Sequence, residues 1–161
     1  MIKYDKIKIV LFDFDDTLAV HSEHKEYNER TRMTYDVNML KGNTEYFSER
    51  CKKSRAMEKF ITKLQKDGKK LALISQVETT SSGNCKIIWA ETQYNAKFIN
   101  CCVSLRKLKV DMLKVVAETF TYLPENILIV DDHCKTLSEA QKAGFQSCTP
   151  IEVVNYMEGV K

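Results

Sequence analysis

A chain of 161 residues and 18.6 kDa, 43% of it hydrophobic, is long enough to bury one sizeable core and too short for a multidomain enzyme. Its 25 Lys and Arg against 22 Asp and Glu leave a net charge of +3, which excludes the strong positive field of a dedicated nucleic-acid binder. The longest stretch free of charge, Ala143 to Ile151, has nine residues, far from the roughly 20 of a membrane span.

Residues 7–14, IKIVLFDF, form an apolar, β-branched run that ends in acids and Thr17, as a buried parallel strand does on reaching a polar crevice. The start, MIKYDKIKIVLF, lacks the small-residue cleavage site of a signal peptide, so no export is expected. The next 35 residues, 19–53, carry seven Lys or Arg and six Asp or Glu among scattered aromatics, too much chain for an idle loop. They are expected to form a small, mostly helical insertion over the carboxyl edge of the sheet, with a mobile surface arm as the alternative.

From 55 to 67, Ala56, Phe60, Ile61 and Leu64 mark one face of a helix that Gly68 closes. A second strand, KLALI, follows at 70–74, and Ile87, Ile88 and Trp89 suggest a helix over 84–94. FINCCV at 98–103 is the third strand, in which reduced thiols act as small hydrophobes. With six cysteines, no CxxC pair and only three histidines, zinc is not expected and a cytoplasmic setting is.

Leu108, Met112, Val115, Val116 and Phe120 support a helix to about residue 121, and Pro124 forces a turn. ILIV at 127–130 is the fourth strand. Thr136 and Glu139 have capping-box spacing for a helix with Leu137, Ala140 and Ala143 on its apolar face and Gly144 at its end. FQSC at 145–148 is the fifth strand, and Thr149, Pro150 and Glu152 open a last helix packed through Val153, Val154 and Met157. Strands alternating with helices predict a single α/β domain over 1–161. Its architecture would be three-layer and doubly wound, a parallel Rossmann-like sheet of order 3-2-1-4-5 with the insertion after strand one.

Asp13 and Asp15, two apart in an extended chain, point the same way, while Phe14 between them turns into the core. Asp131 and Asp132 end strand four, which that order puts beside strand one, so the two acidic clusters meet. Crowded, desolvated carboxylates are tolerable beside a hard divalent cation, and an all-oxygen set suits Mg²⁺. Ser75 ends strand two and Lys109 begins the helix after strand three; a hydroxyl and an ammonium group in the same crevice would complement a phosphoryl group.

In these positions the chain resembles the haloacid dehalogenase-like (HAD) hydrolase superfamily. Asp13, Asp15 and Thr17 in VLFDFDDTL match its DxDxT motif, Ser75 its second motif, Lys109 its third with Lys107 in reserve, and Asp131 and Asp132 its acidic fourth. The resemblance spans nearly all the chain except 19–53. It departs from the family pattern at Thr136, where many members carry another acid, and at Asp16, where Gly is common.

The resemblance implies a magnesium-dependent phosphatase. Asp13 would be the nucleophile, forming an aspartyl-phosphate intermediate, and Asp15 the general acid and then base. Mg²⁺ would be held by Asp13, the Asp15 carbonyl and Asp132, with Asp131 as supporting partner or further ligand. The phosphoryl oxygens would meet Ser75, Lys109, Thr17 and the amides near Phe14 and Asp15. A small-molecule phosphate monoester is the expected substrate and a phosphoprotein the other candidate, with His21, His24, Tyr27, Arg30 and Arg32 near the entrance. A phosphoacceptor receiver module and a non-catalytic binding protein on the same fold are the alternatives. The receiver fits less well, because strand three ends in Val103 and Ser104 with no carboxylate. Neither a membrane nor a nucleic acid is expected as partner.

Overall fold

The computed structural model describes residues 2–21, 49 and 51–159. Five parallel strands make the central sheet: β1 (Ile9–Phe12), β4 (Lys70–Leu73), β6 (Ile99–Asn100), β8 (Ile127–Val130) and β9 (Gln146–Cys148), in the order β6-β4-β1-β8-β9. Counted along the sheet strands alone, this is the expected 3-2-1-4-5. β1 lies at the centre, with Phe12 level with Leu73 on one side and Val130 on the other.

Every residue of β1 and β8 is buried, because both sheet faces are covered. Side-chain alternation divides the core in two. Val10, Phe12, Leu73 and Val130 face a layer formed by α1 (Arg55–Lys66), α2 (Thr80–Tyr94) and α5 (Pro150–Glu158). Ile9, Leu11, Ala72 and Ile129 face α3 (Lys109–Phe120) and α4 (Cys134–Lys142). Three layers result, and the carboxyl ends of β1, β4 and β8 open at one rim.

Helix ends follow local chemistry. Gly68, at φ 67°, ends α1 in the left-handed region, as its position after the periodic run leads one to expect. Thr149 caps α5: its hydroxyl accepts from the Glu152 amide at 3.3 Å, and the Thr149 amide donates to Glu152 Oε2 at 2.7 Å. Pro150 occupies the first helical position, where no donor is lost.

Several local expectations need correction. α4 begins at Cys134 after His133, so Thr136 lies inside the helix and forms no capping box. α2 starts at Thr80, capped by Thr79, and buries Ser82, Gly83, Cys85, Lys86, Trp89, Ala90 and Tyr94; Ile88 instead faces outward at 53% exposure. In α3, Val110 and Leu113 are buried and Val115 is exposed. The third strand is shorter than expected, since FINCCV breaks after Asn100 and resumes as β7 (Val103–Ser104) beside β5 (Gln76–Val77).

The two ends of the insertion after strand one form an antiparallel ribbon of β2 (Ala19–His21) and β3 (Cys51–Lys53). The expected helical cover and the entrance residues His24, Tyr27, Arg30 and Arg32 lie outside the described residues. The ribbon is anchored at its base. The Tyr94 hydroxyl donates to the Leu18 carbonyl at 2.6 Å and accepts from the Ser54 amide at 2.9 Å.

Candidate functional site

At the open rim, β1 stops pairing regularly and turns. The Asp13 amide donates to the Val130 carbonyl at 2.9 Å, which holds this residue at the junction with β8. Phe14 is fully buried and meets Trp89 edge-on, with ring centroids 5.3 Å apart, so Asp13 and Asp15 face the crevice as i, i+2 residues should. Asp16 then takes φ 56°, a left-handed conformation that Asp tolerates better than most residues and that explains why glycine serves at such a position. The turn closes by bonds from the Leu18 and Ala19 amides to the Phe14 carbonyl.

Lys109 enters from the first residue of α3. Its Nζ lies 2.7 Å from Asp13 Oδ1 and 2.7 Å from Asp131 Oδ2, and all three side chains are at most 9% exposed. Lys107 is exposed in the preceding loop, where its carbonyl accepts from the Gln76 side chain, so Lys109 and not Lys107 reaches Asp13 and Asp131. The other oxygen of Asp131 accepts from the His133 amide at 2.8 Å. Both Asp131 oxygens are thereby engaged, whereas its neighbour Asp132 is exposed.

Carboxylate oxygens of Asp13, Asp131 and Asp132 lie within 4.8 Å of one another. Burial drives the Asp13 pKa up, to about 7; Lys109 pulls the other way, and the carboxylates of Asp131 and Asp15 add to the rise. Asp132 is raised by partial burial and by Asp131 and Asp16. Burial opposes the charge on Lys109, but Asp13 and Asp131 outweigh it and hold its pKa above that of an ordinary lysine. One buried ammonium group therefore leaves the cluster with excess negative charge, and the all-oxygen donor set fits a hard divalent cation such as Mg²⁺.

Ser75, 2% exposed, follows β4 beside this cluster. The Thr17 hydroxyl is buried and has no hydrogen-bond partner among the described residues, an orphaned donor of the kind an anion satisfies. Asp13, Phe14, Asp15, Thr17, Ser75, Lys109, Asp131 and Asp132, the residues expected to bind metal or phosphoryl group, thus stand on the carboxyl side of neighbouring strands or at the start of α3.

Lys86 was not foreseen. It is 4% exposed in α2, and its Nζ donates to Asp15 Oδ2 at 2.6 Å and to Ser75 Oγ at 2.8 Å. A signal for it exists: Ser82, Trp89 and Ala90 each lie three or four residues from Lys86, which puts a lysine on the buried stripe of the helix.

No family model matches the chain, and neither does any curated protein. Solved structures do. A haloacid dehalogenase-like hydrolase, SP0104 from Streptococcus pneumoniae, superposes with a TM-score of 0.61 at 14% identity over 95% of this chain and 99% of that one. The magnesium complex of the HAD-family enzyme BT-2542 from Bacteroides thetaiotaomicron gives 0.55 at 16% identity over 90% and 93%. The N-terminal part of BF1531 from Bacteroides fragilis, which contains a phosphatase domain complexed with Mg, gives 0.58 at 12% identity over 96% of this chain and 40% of that one. With its strand order, acidic rim and insertion after β1, the chain has the fold of the haloacid dehalogenase-like hydrolase superfamily.

Proposed function

We propose that this protein is a magnesium-dependent phosphomonoesterase of that superfamily, acting through an aspartyl-phosphate intermediate. The observation that carries the reading is the buried Asp13, at the end of the central strand, joined to Lys109 and within 4.8 Å of the Asp131 and Asp132 carboxylates. A carboxylate so placed is costly unless a charged ligand and a cation come to it.

An Asp13 carboxylate oxygen attacks phosphorus in line; the new O–P bond forms as the bond to the leaving oxygen breaks, and Asp15 gives that oxygen its proton. Asp15 then takes a proton from water, whose oxygen attacks the same phosphorus and releases phosphate and Asp13. Ser75, Thr17, Lys109 and the amides of Phe14 and Asp15 stabilise charge on the phosphoryl oxygens. Asp13, Asp132 and the Asp15 carbonyl would hold Mg²⁺, which supplies charge neutralisation at the reacting phosphoryl group. Asp131, with one oxygen on Lys109 and the other on the His133 amide, serves to orient Lys109.

A small-molecule phosphate monoester is the substrate class and a phosphoprotein the second candidate; no helix among the described residues is long and apolar enough to cross a membrane. The six free cysteines, four of them buried, suit a reducing cytoplasm. Hydrolysis of an aryl phosphate in Mg²⁺, its loss in EDTA and its return with Mg²⁺ test the reading. Failure of the wild type to release phosphate from any of a panel of monoesters overturns it.

A further inference from the structure

A lysine is rarely buried without a reason, because its ammonium group loses hydration that few partners replace. Lys86 is 4% exposed, and its Nζ also lies 5.0 Å from the centroid of the Phe14 ring. Neutralising Asp15 alone does not account for it. The Asp15 side chain is 38% exposed and open to water, whereas the lysine has given up nearly all of its own.

The second bond is the informative one. Ser75 Oγ accepts from Lys86, and an ammonium group cannot accept in return, so the serine proton must be donated elsewhere. Lys86 therefore fixes the hydroxyl as a donor and a phosphoryl oxygen as its natural acceptor. The same Nζ restrains the Asp15 carboxylate at the mouth of the crevice.

The geometry points to Lys86 as a positioning residue of the phosphoryl-binding site, one that aligns Ser75 as a hydrogen-bond donor and holds Asp15 beside it. This role rests on the phosphatase reading. It differs from that of Lys109, which faces Asp13 and Asp131 from the opposite side of the sheet.

Orthovanadate is the probe, titrated calorimetrically in Mg²⁺, with steady-state hydrolysis of an aryl phosphate alongside. Lys86→Met weakens vanadate binding by about tenfold or more and raises KM, and Ser75→Ala does likewise. The double variant loses little beyond the larger single loss, because the lysine acts through the serine. Losses that multiply in the double variant, or vanadate affinity unchanged in Lys86→Met, overturn the positioning role while leaving the phosphatase reading intact. A wild type that neither turns over monoesters nor binds vanadate overturns both. Should Lys86→Met melt below the assay temperature, Asp15→Asn/Lys86→Met leaves no lone charge. Compared with Asp15→Asn, with and without Ser75→Ala, it must show the same non-multiplying loss of vanadate affinity.

Discussion

Lys109 and Asp13 form a buried ion pair at 2.7 Å, and the same ammonium group also serves Asp131. Removing the one ammonium group that both carboxylates share leaves uncompensated negative charge, which costs on the order of 3–5 kcal/mol. Lys109→Met is therefore expected to lose much of its stability at pH 8 in EDTA. Because the orphaned carboxylates can take up protons, the loss should shrink at pH 5. Urea unfolding at the two pH values checks this, and equal losses at both would show that the carboxylates are not the cause.

Asp13 itself opposes folding at neutral pH. Its folded-state pKa, about 7, stands above the unfolded value of 3.8, so between these values the folded protein binds more protons than the unfolded chain. Stability from this group is fully present below pH 3.8 and is lost as pH rises through about 7. In EDTA at pH 8, Asp13→Asn should then melt higher than wild type by roughly 2–4 °C or more, for a gain on the order of 1 kcal/mol. Its turnover of aryl phosphate should vanish. Mg²⁺ should raise the wild-type melting temperature and not that of the variant. Full activity in Asp13→Asn would end the nucleophile assignment.

The parts of this arrangement that could be read from sequence have short-range causes. The apolar runs of β1 and β8 and the acids that end them sit on single strands, and parallel α/β topology makes the two ends neighbours. Lys109 was legible because it opens a helix directly after a strand. Lys86 was not, because its reach to Asp15 crosses 71 residues of sequence and depends on how α2 packs. The same packing turned Ile88 outward, against the hydrophobic reading of that helix. Thr136 and Glu139 misled for a different reason: capping spacing recurs by chance, and the backbone at His133 starts the helix earlier.

One hydroxyl bridges the two ends of the insertion where they leave the domain. Tyr94 bonds both the Leu18 carbonyl, before β2, and the Ser54 amide, after β3, and burial raises its pKa so that it remains a phenol. Tyr94→Phe leaves these two groups only the longer direct bond from the Ser54 amide to the Leu18 carbonyl, at 3.4 Å, and is expected to cost about 0.5–1.5 kcal/mol in urea unfolding. Since Tyr94 and Lys86 share α2, turnover should fall as well. A variant as stable as wild type would mean that water replaces the hydroxyl.

Gly83 lies one turn before Lys86 on the same helix. A Cβ there would meet Cys102 Cβ at 3.3 Å, tighter than ordinary packing, and its Sγ at 3.5 Å, an ordinary contact. In an open helix, Gly→Ala gains about 1 kcal/mol. Here the gain is opposed by the contact, whose relief takes a few tenths of an ångström and is expected to come from α2 moving away from the β6–β7 linker. That movement carries the Lys86 ammonium away from Ser75. Gly83→Ala is therefore expected to show little or no gain in melting temperature together with a several-fold rise in KM for an aryl phosphate. A gain near the full helical value with unchanged KM would mean that Cys102 yields instead of the helix, and that the close approach of α2 is not what seats Lys86.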